Sequence, residues 1–212
     1  LVHDLKNPLL AQICSINQCY KGVYGELNNT QKEILSLTLE SANYMKEMLY
    51  TLINTYKYDN GNIRLNKENI NIENLIKTCI KEHSTISSEQ KIKINFKSLL
   101  KDTEKQIPVD EKQLRRVITN LLSNGINYAY EDTEFYILAE LNNSIMKISM
   151  ENYGPPIDKE TQKHLFEKYI SSSNKFQKVG FGLGLYLSKK IIEAHNGKIY
   201  FVQNGNLNRF VI

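Results

Sequence analysis

The sequence lacks tryptophan and has only three cysteines, four prolines and four histidines. The cysteines are odd in number and none are spaced as C-x-x-C, which argues against a disulfide framework or a zinc site. No apolar run approaches the roughly 18 residues of a membrane span, and no signal peptide opens the chain. We interpret the chain as a fragment that begins inside a helix, so that any sensor or membrane anchor belongs to segments absent from it.

An excess of one charge is also missing, because 27 basic residues stand against 23 acidic ones and the formal net charge is +4. A nucleic-acid-binding domain would show a basic stripe or face, so we expect no nucleic-acid partner. The mild positive charge suits a small polyanionic ligand instead. Hydrophobic residues make up 41% of the chain, which excludes general disorder, and 212 residues are enough for one or two domains.

Two long amphipathic helices are predicted at the start of the chain. Apolar residues recur at steps of three and four over residues 2–20 and again over 34–58. The loop between them ends at Thr30, which together with Glu33 predicts a capping box for the second helix. Such a hairpin leaves an apolar stripe uncovered, so we expect it to pair with a second copy in a four-helix bundle.

The pattern changes to mixed helices and strands from about residue 61 onwards. Helices are predicted at 72–83, 110–128 and 183–195, and strands at 91–96, 135–141, 145–150, 198–202 and 210–212. The stretch 152–182 is expected to be rich in loops. We therefore predict an α+β chain in two domains: a helical hairpin over residues 1–60, followed by a two-layer α/β sandwich over residues 61–212.

The first motif that can carry chemistry is His3-Asp4-Leu5-Lys6-Asn7-Pro8-Leu9. His3 and Asn7 share one helix face beside the apolar stripe, and imidazole is a nucleophile at neutral pH. A carboxylate such as that of Asp4 can take the proton from one ring nitrogen while the other attacks phosphorus. Pro8 removes a backbone hydrogen bond and bends the helix. Taken alone, the segment also fits an ordinary surface histidine beside an aspartate.

The second motif consists of Asn120, Asn124 and Asn127, which steps of four and three place on one face of the predicted helix 110–128. Asparagine is a mediocre helix former, so three on one face need a reason. Amide oxygens suit Mg²⁺, which commonly shares its ligands with phosphate oxygens. A solvated polar face is the alternative.

The third motif is the glycine series Gly180, Gly182 and Gly184, which opens the predicted helix 183–195. Glycines at a helix start let backbone N–H groups approach an anion, helped by the helix dipole. The spacing G-x-G-x-G is not the dinucleotide fingerprint, and no Gly-Lys-Ser/Thr of a Walker A loop occurs. A glycine hinge is the alternative.

The fourth motif, Glu151-Asn152-Tyr153-Gly154-Pro155-Pro156-Ile157, follows a predicted strand. A polar residue at that point can meet the edge of a nucleotide base. Gly154 and the prolines predict a sharp, rigid turn. The alternative is that the segment is a simple turn with no role in binding.

In this order and at these separations, the four motifs resemble those of the sensor histidine kinases. Residues 3–9 look like the H box, 120–128 like the N box, 152–157 like the G1 box, 165–169 like the F box and 180–185 like the G2 box. The resemblance covers essentially the whole chain. It implies a dimerisation and histidine-phosphotransfer hairpin followed by a Bergerat-type ATP-binding domain.

The resemblance also implies roles for individual residues. His3 would be the phosphoacceptor, Asp4 would orient it as a general base, and Asn7 would position a water when the protein dephosphorylates its partner. Asn124 would bind Mg²⁺ and Asn120 would help to hold the phosphates. The full set of residues expected at the nucleotide is Asn120, Asn124, Asn127, Tyr128, Asn152, Gly154, Lys178, Gly180, Gly182, Leu183, Gly184 and Leu185.

Three positions depart from the family pattern. Asn152 stands where an aspartate usually reads the adenine amino group, Pro156 replaces a glycine, and Asn127 replaces a common lysine. Loss of one charge-assisted contact costs on the order of 1.5–3 kcal/mol. These departures concern the strength of ATP binding.

The function implied by the resemblance is ATP-dependent autophosphorylation of His3 and phosphotransfer to an aspartate of a response regulator, together with phosphatase activity on that regulator. We expect a cytoplasmic homodimer that uses ATP and Mg²⁺ and reaches a membrane only through segments absent from this chain. One alternative is a degenerate kinase that acts mainly as a phosphatase or scaffold. Another is an ATPase or chaperone-like machine with the same fold, against which the H box argues.

Overall fold

A computed structural model describes residues 2–59, 64–170 and 182–212, without the side chains of residues 2–4. The chain forms two compact units, residues 1–62 and 63–212. The described part of the chain contains no helix with the length and apolarity of a membrane span.

The first unit is a hairpin of two helices, α1 (Val2–Tyr20) and α2 (Asn29–Asp59), which pack against each other. Pro8 lies inside α1. In the connection, Gly22 and Gly25 have φ values of +74° and +134°, which side chains other than hydrogen rarely tolerate. The two glycines therefore end the first helix and turn the chain back.

The cap of α2 differs from the predicted one. The N–H of Gln31 donates to Oδ1 of Asn28, and the N–H of Asn28 donates to Oε1 of Gln31, both at 2.9 Å. This reciprocal pair is a capping box, and Thr30 already lies inside the helix. The prediction of Thr30 and Glu33 was wrong because Asn caps a helix at least as well as Thr, and Gln can replace Glu in the box.

The second unit alternates short helices and strands. Its helices are α3 (Ile72–Glu82), α4 (Ser84–Glu89), α5 (Glu111–Asn127), α6 (Lys159–His164) and α7 (Gly184–Ala194). Its strands are β1 (Glu68–Asn71), β2 (Lys93–Ser98), β3 (Gln106–Val109), β4 (Glu134–Asn142), β5 (Ile145–Tyr153), β6 (Tyr200–Asn204) and β7 (Leu207–Val211).

Five of the strands form a mixed sheet in the order β2-β4-β5-β7-β6. Strands β2 and β4 are parallel, and the other neighbouring pairs are antiparallel. Strands β1 and β3 form a separate antiparallel pair. Helix α3 contacts β2, α5 contacts β5, and α7 contacts α5, so that helices cover one face of the sheet. The predicted helical hairpin followed by an α/β sandwich is confirmed.

Three short elements, α4, α6 and β3, do not stand out in the sequence, because four to six residues do not complete a recognisable repeat. Helix α6 lies in the stretch expected to be rich in loops. It is fixed by Asp158, whose carboxylate accepts the backbone N–H groups of Glu160 and Thr161 at 3.1 and 2.8 Å. Such an N-cap stabilises this helix of six residues within a loop.

Strands β5 and β7 both reach further than predicted. Residues beyond the apolar run of β5 still pair with β7, in the register Asn152↔Asn208 and Tyr153↔Leu207. The expected ends at 150 and 210 were therefore wrong by three residues each. Polar side chains hid these strand ends, since asparagine is depleted in strands.

Helix α5 is the central helix of the second unit, with an apolar side that is buried from Leu114 to Ile126. Its start is capped by Asp110, which accepts the N–H of Gln113 at 3.1 Å. The N–H of Asp110 donates to Nε2 of His195, the residue after α7, at 3.0 Å. The imidazole thus ties the start of α5 to the end of α7.

Cys79 of α3 is buried beneath α5, where the hydroxyl of Thr119 donates to its sulfur at 4.0 Å. Burial raises the pKa of the Cys79 thiol. A thiol with a raised pKa remains protonated at neutral pH and is a poor nucleophile and metal ligand. Cys79 therefore serves as a small apolar residue in the core.

Candidate functional site

The end of α5 meets the end of β5 at Gly154. The N–H of Gly154 donates to the carbonyl of Asn206 at 2.9 Å, and the N–H of Tyr130 donates to the carbonyl of Tyr153 at 2.8 Å. A Cβ atom on Gly154 would lie 2.2 Å from the carbonyl oxygen of Tyr128. The glycine is therefore required by a close approach of two backbones, which places the second and fourth motifs side by side.

Asn120 joins α5 to the start of α7. Its Nδ2 donates to Oγ of Ser188 at 3.0 Å, and that hydroxyl donates to the carbonyl of Gly184 at 3.0 Å. A Cβ atom on Gly184 would lie 2.3 Å from Oδ1 of Asn120. The amide therefore lies directly on the first residue of α7, and the second and third motifs meet there.

Ser188 is 1% exposed, so the Ser188→Ala variant tests this connection. Loss of the hydroxyl removes the acceptor for Asn120 Nδ2, and we expect the free energy of unfolding to fall by about 1 kcal/mol. Chemical denaturation measures it. Ser15 makes the same bond to the carbonyl four residues before it but is exposed, so Ser15→Ala is the control and should leave stability within about 0.5 kcal/mol. An equal loss in both variants would contradict the role given to Ser188.

The other two asparagines of α5 differ from each other. Within residues 64–170 and 182–212, the half-buried side chain of Asn124 has no hydrogen-bond partner, so its amide oxygen can receive a ligand. Asn127 accepts a hydrogen bond from Nε2 of Gln90 at 3.3 Å. The side chain of Asn127 is therefore at least partly engaged by the protein itself.

Asn152 lies on the helix-facing side of β5 and is 3% exposed. Its Nδ2 has no hydrogen-bond partner. Leaving a buried donor unpaired costs about 1–3 kcal/mol. The unpaired Nδ2 of Asn152 is available to a polar ligand. Asn152 lies two residues before Gly154, where α5 and β5 meet.

The start of α7 is open to an anion. Its N-cap residue, Leu183, makes no side-chain cap, whereas α3, α5 and α6 are capped by Asn71, Asp110 and Asp158. Just before it, Gly182 has a φ of +62° and accepts the N–H of Tyr169 through its carbonyl at 3.0 Å. Gly182 and Gly184 thus hold the start of this helix in place.

Several predicted residues lie outside the described part of the structure. They are Lys178, Gly180 and the side chains of His3 and Asp4. Asn7 is exposed on α1, where the neighbouring Lys6 ammonium lies 5.4 Å from the centre of the Tyr50 ring. Of the two leucines predicted at the nucleotide, Leu183 is buried and Leu185 is half-buried. The described residues contain no group of three or more His, Cys, Asp or Glu side chains placed to bind a metal.

Two residues of the site, Ser188 and Asn208, did not stand out in the sequence. Ser188 lies four residues after Gly184, a spacing that places both on one helix face. Asn208 is two residues before Phe210, so alternation could have placed it on the inner face of a longer strand. Both signals are weak without the structure.

Comparisons with known proteins identify the second unit. Residues 109–211 match the family of histidine kinase-, DNA gyrase B- and HSP90-like ATPases. The sensor histidine kinase YvrG of Bacillus subtilis (strain 168) is 26% identical over 212 residues, covering 100% of this chain and 36% of YvrG. The second unit therefore carries a domain of this ATPase family, and the chain as a whole is similar to sensor histidine kinases. It spans about a third of the length of this curated histidine kinase.

Solved histidine kinases share the fold over the whole chain. Full-length ShkA in complex with AMPPNP has a TM-score of 0.79 at 19% identity, covering 100% of this chain and 44% of ShkA. The histidine kinase ThkA in complex with the response regulator TrrA has a TM-score of 0.66 at 20% identity, covering 99% of this chain and 60% of that one. At such identities the likeness concerns the fold.

Proposed function

We propose that this chain transfers the γ-phosphoryl group of ATP to His3 and from there to an aspartate of a response regulator. The observation that carries the proposal is the junction of α5, β5 and the start of α7. There an uncapped helix start, a half-buried amide without a partner and a buried unpaired amide group lie on adjoining elements. These three features suit the phosphates, the metal ion and the base of a nucleotide.

The phosphates would bind at the start of α7. Its first N–H groups lack a side-chain cap, and the helix dipole adds positive potential there. Asn120, held by Ser188 against Gly184, lies at the same helix start. Lys178 and Gly180, which lie outside the described residues, would belong to the same phosphate site by family resemblance.

Asn124 would hold Mg²⁺ through its amide oxygen together with the phosphate oxygens of the nucleotide. Magnesium supplies positive charge that offsets the charge developing on the transferred group. The described residues offer no carboxylate cluster for the ion. Magnesium would therefore bind with ATP and not before it, in keeping with its preference for few protein ligands.

The reaction itself would use the hairpin. A ring nitrogen of His3 forms a bond to the γ-phosphorus while the bond from phosphorus to the bridging oxygen breaks and ADP leaves. The proton on the other ring nitrogen passes towards Asp4. Asn7, one helical turn from His3, would position a water molecule for the phosphatase reaction. In that reaction the water attacks the phosphoryl group of the response regulator.

Dimerisation would cover the apolar side of the hairpin. Several of the residues that form the predicted stripe are exposed in the single chain, and they are Leu5, Ile34, Leu37, Met45, Leu52 and Tyr56. Exposed apolar side chains at helical spacing suit an interaction site. A second copy would bury both stripes in a four-helix bundle.

The response regulator is proposed from the family and from the complex of ThkA with TrrA. A histidine that carries a phosphoryl group needs an acceptor, and an aspartate of a separate protein provides it. Which regulator is served would be decided by the surface of the hairpin around His3.

The decisive experiment is incubation of the chain with γ-labelled ATP and Mg²⁺, comparing the wild type with His3→Gln. We expect label on the wild type that is labile in acid and stable in alkali, as phosphohistidine is, and none on the variant. His164→Gln, which changes a half-buried histidine of α6 that pairs with Glu160 and Glu167, is the matched control and should retain the label.

Each other result points to a different function. ATP binding without label on a folded wild-type protein would favour the degenerate kinase. The neutral residues Asn152 and Asn127 would then be the first targets for substitution. Turnover of ATP by His3→Gln at the wild-type rate would favour an ATPase. Label that persists on His3→Gln would rule out His3 as the acceptor.

A further inference from the structure

Two asparagines lie opposite each other in the sheet, on the side that the helices cover. Asn152 of β5 pairs with Asn208 of β7, and Asn152 also pairs with Phe135 of β4. The three are 3%, 4% and 1% exposed. Cross-strand partners point to the same face of a sheet. Both amides are therefore buried in a layer that is otherwise apolar.

Each amide has one buried group without a partner. Nδ2 of Asn208 donates to the carbonyl of Pro155 at 3.2 Å, which fixes the orientation of the amide and leaves Oδ1 unpaired. Nδ2 of Asn152 is unpaired as well. Rotation of the Asn208 amide would bring two oxygens together, so its Oδ1 is a fixed acceptor. The sheet thus presents one donor and one acceptor on adjoining strands.

The amide pair belongs to the site described above. Asn208 bonds to Pro155, and the neighbouring Gly154 contacts the end of α5 through Tyr128. An unpaired buried donor and acceptor cost free energy in the empty protein, and a ligand that offers the complementary pair recovers it. Such a ligand group has an acceptor and a donor on adjacent atoms.

We propose that Asn208 is a second base-reading residue and that Asn152 and Asn208 together recognise a purine by one donated and one accepted hydrogen bond. The inference rests on the proposed binding of a nucleotide. Adenine offers N1 as an acceptor beside its 6-amino donor, and hypoxanthine offers O6 as an acceptor beside N1–H. With Asn208 Oδ1 fixed as the acceptor, the pair matches adenine, whose 6-amino group donates to Asn208 and whose N1 accepts from Asn152. Hypoxanthine presents the donor and the acceptor in the reverse order, and a carboxylate can only accept. Adenine nucleotides are therefore preferred over hypoxanthine nucleotides.

The test is equilibrium binding to the 212-residue chain, measured by displacement of fluorescent trinitrophenyl-ATP. The competitors are ATP, ITP and purine riboside triphosphate, which lacks the 6-amino group. We expect the wild type to bind ITP and the 6-unsubstituted nucleotide each about tenfold more weakly than ATP. In Asn208→Leu, ATP and the 6-unsubstituted nucleotide should bind equally.

The comparison of two ligands separates contact from structure. A merely structural effect of Asn208→Leu weakens both nucleotides by the same factor, which would overturn the inference and leave the proposed function standing. Asn208→Ala, a smaller change, should repeat the result if Asn208→Leu folds poorly. Asn204→Ala, an exposed position on β6, is the matched control and should behave as the wild type. Failure of every nucleotide to displace the probe at millimolar concentration would overturn both proposals.

Discussion

The Gly125→Ala substitution is expected to destabilise the second unit by about 2–3 kcal/mol, although it adds a better helix former to the middle of α5. A Cβ atom on Gly125 would lie 1.9 Å from Cε2 of Phe135, whose ring is almost completely buried. In an exposed helix the same change stabilises by about 1 kcal/mol. In α5 the added methyl group overpacks the contact with Phe135, so the substitution lowers the free energy of unfolding instead of raising it. Urea denaturation followed by circular dichroism measures the effect.

A second substitution checks that the ring is the cause. Phe135→Leu makes room above Gly125 and by itself should cost about 1–2 kcal/mol through the lost packing. In that background, Gly125→Ala should cost less than 1 kcal/mol. If the alanine is equally harmful with Leu at 135, the ring contact is not what selects glycine.

The Gly154→Ala substitution is expected to lower nucleotide affinity by more than tenfold and the free energy of unfolding by about 2 kcal/mol. Its methyl group would meet the Tyr128 carbonyl oxygen at 2.2 Å and Nδ2 of Asn152 at 2.9 Å. Neither backbone can yield easily, since Gly154 is bonded to Asn206 and Tyr130 to Tyr153. The end of α5 must move from β5, and the amide of Asn152 moves with it. Calorimetric titration with ATP and thermal unfolding measure the two effects.

Gly205 provides the control for this prediction. It has a φ of +58°, but nothing lies within 4 Å of a Cβ atom built there. Gly205→Ala therefore introduces backbone strain of about 1 kcal/mol without a clash, and ATP should bind as to the wild type. Equal loss of affinity in both variants would indicate that the turn, and not the contact with Tyr128, governs the site.

The long elements could be predicted because their apolar pattern repeats several times. Helix α5 shows several turns of apolar residues and was placed to within one residue at each end, and the hairpin of α1 and α2 was equally clear. Local capping is less certain, because adjacent residues compete for the same position. The cap is formed by Asn28 with Gln31, although Thr30 with Glu33 has the same kinds of side chain two residues later.

The tertiary part of the candidate site could not be predicted from sequence patterns. Asn152 was placed at the nucleotide by family resemblance, but its burial opposite Asn208 depends on the register of β5 and β7. Likewise, the bond between Asn120 and Ser188 depends on the approach of α5 to α7. Both contacts connect residues that are distant in the chain, and no local pattern encodes such distances.

The strand pairing has a consequence for how the second unit folds. Strands β4 and β5 are joined by Asn143 and Ser144, whose φ values of +50° and +64° are those of a tight hairpin turn. This hairpin can form within microseconds, since it needs no distant contact. The parallel pairing of β2 with β4 must first close a long loop that includes α5. We therefore expect the strand that carries Asn152 to form early, and the nucleotide site to be completed in the slow, final step of folding.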